Sequence, residues 1–115
     1  MALDILVVDD VARIVVRNLG VILPKDKLVL HSAYSGEEAV EQLRKRDYGL
    51  VFLDYNMGGM NGFETAKAIR EIKPNVRMIG FSSDWFNDEA EQVGLEFHAW
   101  DQSPISQYIL RLLNN

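Results

Sequence analysis

Apolar and polar positions along this chain fall into two alternating rhythms. Short runs of consecutive apolar residues are separated by longer stretches in which apolar residues recur every three or four positions. Ile5-Leu6-Val7-Val8 and Leu50-Val51-Phe52-Leu53 carry no polar alternation, the pattern of strands buried on both faces of a parallel sheet under helices. The first strand is predicted over residues 4–9, and the run at Leu50–Leu53 surfaces on Asp54. From Val11 to Leu23, apolar residues at Val11, Ile14, Val15, Leu19, Ile22 and Leu23 recur at helical spacing, and Pro24 stops that helix. Leu28-Val29-Leu30 with Ala33 makes a short second strand. Ser35-Gly36-Glu37-Glu38 then opens a helix in which Ser35 and Glu38 stand at capping-box spacing. Ala39, Val40 and Leu43 are its apolar face, and the basic Arg44-Lys45-Arg46 suits the dipole near its end.

Beyond the glycine-rich loop Tyr55-Asn56-Met57-Gly58-Gly59-Met60-Asn61-Gly62, a third helix is marked by Phe63, Ala66, Ile69, Arg70 and Ile72 and closed by Lys73-Pro74-Asn75. Strand four is predicted from Val76 to Phe81, ending in Ser82-Ser83-Asp84. A short acidic helix follows from Trp85 to Val93, with Gly94 as its stop. Phe97 to Trp100 reads as a weak fifth strand. Pro104 opens a last helix striped by Ile105, Tyr108, Ile109, Leu112 and Leu113. Five strands alternating with five helices predict an α/β fold, a doubly wound (βα)5 parallel sheet with right-handed crossovers. Such a sheet places every strand's carboxyl end on one edge.

The length of 115 residues predicts one domain spanning 1–115, with a real hydrophobic core. A content of 48% hydrophobic and 25% charged residues is that of a globular chain. The net charge of -5 and the scatter of the twelve Lys and Arg argue against direct nucleic-acid binding, which needs a basic patch. No run approaches the roughly 18 apolar residues of a membrane span, and the start Met1-Ala2-Leu3-Asp4 lacks a basic leader, so a cytoplasmic location is expected. With no cysteine, disulfides, thiol catalysis and cysteine metal sites are excluded.

The chemistry concentrates at two strand ends. If the first and third strands run parallel and adjacent, Asp9, Asp10 and Asp54 meet at one edge. Three carboxylates a few ångströms apart call for a bound cation or raised pKa values. His31 and His98 are lone histidines read as structural or surface residues, Met57 and Met60 as packing residues, and the charge run Arg44–Asp47 as a solvated helix end.

This combination resembles the response-regulator receiver domain, the CheY-like module of two-component signalling, over essentially the whole chain. The resemblance rests on the acidic pair Asp9-Asp10 after the first strand, on Asp54 opening the loop Asp54-Tyr55-Asn56-Met57-Gly58-Gly59-Met60-Asn61-Gly62, and on Ser82 after the fourth strand. It implies a flavodoxin-like sheet of order 2-1-3-4-5, in which the first and third strands are neighbours at the topological switch point. It further implies that Asp54 accepts a phosphoryl group from a sensor histidine kinase or phosphotransfer protein, and that the domain is no enzyme. Mg²⁺ would be held by Asp10, Asp54 and the backbone carbonyl of Asn56, with Asp9 acting through water. Ser82 would hydrogen-bond the phosphoryl group, and Trp100 matches a switch aromatic that moves with it. Asn56 and Asp84 match positions that tune hydrolysis. A downstream protein would dock on the face of the fourth helix, fifth strand and fifth helix, here offering Trp85, Phe86, Trp100 and Tyr108 beside Asp88, Glu89 and Glu91.

Two departures stand out. Gly58 replaces the family's usual proline, which should loosen the loop. Ser103-Pro104 occupies the place of a Lys-Pro pair after the fifth strand, and Lys73-Pro74 belongs to the opposite edge. The expectation is therefore a phosphoacceptor with atypical switching. The alternative is a pseudo-receiver that docks proteins without phosphate, which the loss of the lysine favours and the intact Asp9, Asp10, Asp54 and Ser82 oppose.

Overall fold

Buried apolar runs become adjacent parallel strands here, and the order in which they pair decides which loops share an edge. The computed structural model describes residues 3–10, 26–80 and 85–97. Within them the chain runs β1 (Leu3–Val8), β2 (Leu28–Ala33), α1 (Gly36–Lys45), β3 (Leu50–Leu53), α2 (Gly62–Ile72), β4 (Met78–Gly80), α3 (Asn87–Gln92) and β5 (Leu95–Phe97). The sheet has the order β2-β1-β3-β4-β5, with every neighbouring pair parallel. The expected doubly wound order is therefore present. The helix expected over Val11–Leu23, the loop Ser82-Ser83-Asp84, His98, Trp100, Ser103-Pro104 and the last helix with Tyr108 lie outside the described residues.

The central strands explain why the fold closes. Ile5 to Val8 and Leu50 to Leu53 are all buried, so the sheet is covered on both faces, as unbroken apolar runs require. On one face Leu6, Val8, Val51, Leu53 and Met78 join Ala39, Val40 and Leu43 of α1 and Ala66 and Ile69 of α2 in one cluster. Each fully buried side chain of this kind contributes about 1.5–3 kcal/mol. Met57 packs against that cluster, as its reading as a packing residue anticipated.

Helix caps set where the loops at the carboxyl edge begin. Ser35 caps α1, its side chain accepting from the Glu38 N–H at 3.1 Å. The Glu38 carboxylate reaches back to the Tyr34 N–H at 3.1 Å, one residue before the position a capping box would use. The reciprocal box occurs instead at α2: Asn61 accepts from the Glu64 N–H at 2.9 Å and Glu64 from the Asn61 N–H at 3.0 Å. The sequence carries its signal as Asn61-Gly62-Phe63-Glu64, the capping-box spacing with Asn in place of Ser or Thr.

Element boundaries differ from the sequence expectation in β1, β4, α3 and β5. β1 is Leu3–Val8 rather than residues 4–9. β4 (Met78–Gly80) begins two residues after the expected Val76, and Phe81 lies outside the described residues; the Val76 carbonyl is taken by the Arg70 guanidinium, which also binds the carbonyls of Val93 and Gly94 at 2.6 and 3.0 Å. α3 starts at Asn87 rather than Trp85 because Phe86 is extended and Trp85 turns inward. β5 starts at Leu95 rather than Phe97, directly after Gly94 ends the helix at φ +64°. Leu95 pairs with Met78, and Arg77 clamps Glu96 across the strands with Nε–Oε1 of 2.6 Å.

Removing the Asn61 cap should be felt in stability. Asn61→Ala is expected to lower the unfolding free energy by about 1 kcal/mol, read as a lower urea midpoint at unchanged slope. An unchanged midpoint would show that the box does not hold α2.

Candidate metal and phosphoacceptor site

Parallel pairing places the ends of β1 and β3 side by side. Val8 and Leu53 are register partners, and the Asp54 N–H donates to the Val8 carbonyl at 3.0 Å. The Asp9 N–H donates to the Ala33 carbonyl of β2 at 3.1 Å. The backbone thus fixes both acidic positions before any side-chain contact is counted. Asp9 is buried, Asp54 half-buried and Asp10 exposed. One carboxylate oxygen from each lies within 4.8 Å of the others.

All the side-chain donors are carboxylate oxygens, which suits a hard cation, and Mg²⁺ keeps several waters when held by few carboxylates. Oxygens around an octahedral ion at its usual bond length lie about 3–4 Å apart. A cluster within 4.8 Å reaches that spacing with one bridging water or a small side-chain rotation. The triad is a set typical of a Mg²⁺ site.

The loop after Asp54 is tied down at several points. Asp54 Oδ1 accepts from the Tyr55 N–H at 2.8 Å, and the Tyr55 carbonyl accepts from the Gly62 N–H at 2.7 Å. A Cβ on Gly62 would stand 2.5 Å from the Asp54 carbonyl oxygen and 2.7 Å from the Trp85 ring, so only glycine fits there. Gly59 holds φ +79°, a conformation open to glycine at little cost. Beside it the Glu37 carboxylate of α1 accepts from the Met60 N–H at 3.2 Å. A side chain on Gly58 would meet nothing within 4 Å. The freedom expected from Gly58 is therefore offset by Glu37, a contact from a distant helix that no local spacing announces.

Trp85 and Phe86, expected as neighbours on one docking patch, part company. Trp85 is 4% exposed and donates its indole N–H to the Leu53 carbonyl at 3.1 Å, whereas Phe86 is 59% exposed. Tyr55 lies between them, edge-on to both rings, and its hydroxyl donates to Glu89 at 2.8 Å. Burial and the Glu89 carboxylate push the Tyr55 phenol above its ordinary range, so it remains a donor at neutral pH.

Of the sequence-predicted site residues, Asp9, Asp10 and Asp54 come together and Asn56 follows two residues on, while Ser82, Trp100 and Ser103 lie outside the described residues. Lys73 sits away from the triad, paired with Asp47 just ahead of β3. That pair borders a cleft lined by Leu43, Tyr48 and Val76 at the other edge of the sheet. His31 Nε2 donates to the Asp4 carboxylate at 3.0 Å and the ring meets Tyr48 edge-on, so it serves as a structural residue. Among the described residues no helix is long and apolar enough to cross a membrane.

Comparison with known proteins agrees with this geometry. Residues 5–102 match the response regulator receiver domain family. The chain belongs to that family, whose members are phosphoacceptor modules of two-component signalling rather than enzymes. It is 39% identical over 80 residues to the nitrate/nitrite response regulator protein NarL of Escherichia coli, covering 68% of this chain and 37% of NarL. It is 35% identical over 74 residues to the transcriptional activator protein ExaE of Pseudomonas putida, covering 64% of this chain and 32% of ExaE. The matches thus span about a third of each relative's length. Among solved structures, chemotaxis protein CheY4 of Vibrio cholerae superposes with a TM-score of 0.79 at 22% identity, covering 99% of this chain and 98% of that one. The response regulator TrrA of Thermotoga maritima, solved in complex with Mg(2+)-BeF, gives 0.73 at 26% identity, covering 96% and 98%.

Crowded carboxylates carry a cost that a charge-removing variant exposes. Asp54→Asn keeps the oxygen that accepts from Tyr55 while removing one charge, which at this spacing relieves about 1 kcal/mol of repulsion in a water-like surrounding. The metal-free variant is expected to melt above the wild type, and saturating Mg²⁺ to raise the melting temperature of the wild type only. Equal melting temperatures without metal would show that the repulsion is not felt.

Proposed function

We propose that this chain is a receiver that accepts a phosphoryl group on Asp54 from a phosphohistidine of a sensor histidine kinase or phosphotransfer protein. The single observation that carries the reading is the triad of Asp9, Asp10 and Asp54, gathered within 4.8 Å at adjoining strand ends. A carboxylate oxygen of Asp54 attacks phosphorus, the new O–P bond forms as the P–N bond breaks, and the electron pair leaves on the imidazole nitrogen. Little covalent help is needed from the protein; position and charge neutralisation do most of the work. In this reading Asp10, Asp54 and the Asn56 carbonyl would hold Mg²⁺, with Asp9 acting through water. When bound, Mg²⁺ supplies neutralisation of charge on the phosphoryl oxygens.

Ser82 takes a hydrogen-bonding role towards the phosphoryl group, and Trp100 that of a switch aromatic. Ser103 stands where a lysine would add a charge-assisted contact worth about 1.5–3 kcal/mol, so the phosphorylated state is stabilised less than in relatives with that lysine. Switching is accordingly atypical. The downstream partner is a protein docking on the face that includes α3 and β5, where Phe86 is exposed among Asp88, Glu89 and Glu91.

A second reading, a pseudo-receiver that docks proteins without phosphate, is favoured by Ser103 alone. A small phosphodonor with Mg²⁺ separates the two. The expected result is a gain of one phosphoryl mass that Asp54→Asn abolishes; no gain, or one that survives that substitution, would overturn the reading. Ser103→Lys is expected to lengthen the population of the phosphorylated conformation by about ten- to a hundredfold, measured as partner-free conformational exchange by NMR.

A further inference from the structure

Both residues that flank Asp54 are tied to the same short segment. On the amino side, the Leu53 carbonyl accepts the Trp85 indole N–H. On the carboxyl side, the Tyr55 ring meets Trp85 and Phe86 edge-on with centroids 5.2 and 5.6 Å away, and its hydroxyl donates to Glu89 in α3 at 2.8 Å. Trp85 has little room to shift, since a Cβ on Gly62 or on Gly80 would lie 2.7 Å from its ring. The acidic edge and α3 are therefore joined by a brace of three side chains, rigid at Trp85 and dependent on one hydrogen bond at Glu89.

We propose that Tyr55 and Glu89, backed by Trp85, are positioning residues that set the affinity of the acidic triad for Mg²⁺ and carry the state of that site to α3. The inference rests on the Mg²⁺ reading above and extends it to residues that touch neither ion nor phosphoryl group. Tyr55 lies between Asp54 and Asn56, so its ring orientation governs how the loop presents the Asn56 carbonyl beside the Asp54 carboxylate. Holding the hydroxyl on Glu89 pre-orders that segment, which removes an ordering cost from ion binding. Coupling of this kind is reciprocal: whatever α3 adds to ion affinity, the bound ion must return as added order in α3.

The test is Mg²⁺ titration by calorimetry on the full chain and its variants. Tyr55→Phe removes the donor and keeps the ring; it is expected to weaken Mg²⁺ binding about threefold, a fraction of one hydrogen bond's worth. Glu89→Ala is expected to do the same, whereas Glu89→Gln keeps an accepting oxygen and stays within about twofold of the wild type. The double variant Tyr55→Phe, Glu89→Ala is expected to lose no more than either alone, because both remove one interaction. Hydrogen exchange supplies the reciprocal readout, with the Ala90, Val93 and Gly94 amides slowed about threefold by saturating Mg²⁺ in the wild type and not in Tyr55→Phe. Unchanged affinity in Tyr55→Phe, or losses that multiply in the double variant, would overturn the inference while leaving the metal site standing. An absence of Mg²⁺ binding to the wild type would overturn the metal reading and the inference together.

Discussion

Two buried strands that pair in parallel hold three like charges together, and the remaining features of the site follow from that pairing. The Asp54 N–H bonded to the Val8 carbonyl and the Asp9 N–H bonded to the Ala33 carbonyl hold the backbone of these two acids side by side for as long as the sheet is intact. Burial of Ile5–Val8 and Leu50–Leu53 supplies far more stabilisation than the repulsion costs: each such side chain is worth about 1.5–3 kcal/mol. A pair of charges at about this separation repels by about 1 kcal/mol in water-like surroundings and about 4 kcal/mol near a protein surface. The acids are thereby kept crowded by the core, and crowded carboxylate oxygens are what a small divalent cation needs.

Local supports convert that crowding into a defined loop. Glu37 accepts from Met60 beside Gly59, Gly62 lets the chain pass against the Asp54 carbonyl, and Tyr55 is fixed from both its backbone and its ring. The result is a loop after Asp54 that is held by these contacts although glycine stands at position 58. At the far edge, Lys73 is occupied with Asp47, so among the described residues it offers the acidic triad no cation. Family membership and this geometry point in the same direction, since the fold puts its functional loops where the acids gather.

Much of the fold was legible because its signals are strong and local. Unbroken apolar runs at residues 5–8 and 50–53 suit doubly buried strands, and their alternation with helical periods implies a parallel sheet with one functional edge. The acidic triad followed from the strand ends once the first and third strands were neighbours, an order that the family resemblance implies. What is not legible in the sequence depends on contacts between distant segments. Trp85 looked like the first residue of a surface helix, yet its indole reaches the Leu53 carbonyl and its ring fills a slot left by Gly62 and Gly80. Val76 looked like strand, but Arg70 takes its carbonyl. β5 begins earlier than expected because Gly94 turns the chain at once into register with Met78. Glu37 and Glu89 carry no local mark of their roles; both act through partners 23 and 34 residues away.

The central claim, that Asp9, Asp10 and Asp54 form one cation pocket, is tested most directly by paramagnetic broadening with Mn²⁺ in the isotope-labelled protein. The account predicts that substoichiometric Mn²⁺ erases the amide signals of residues 8–10 and 53–57 first, leaving those around Asp47 and Lys73 sharp, and that excess Mg²⁺ restores them. Broadening centred on Asp88, Glu89 and Glu91, or spread evenly over the acidic surface, would contradict it.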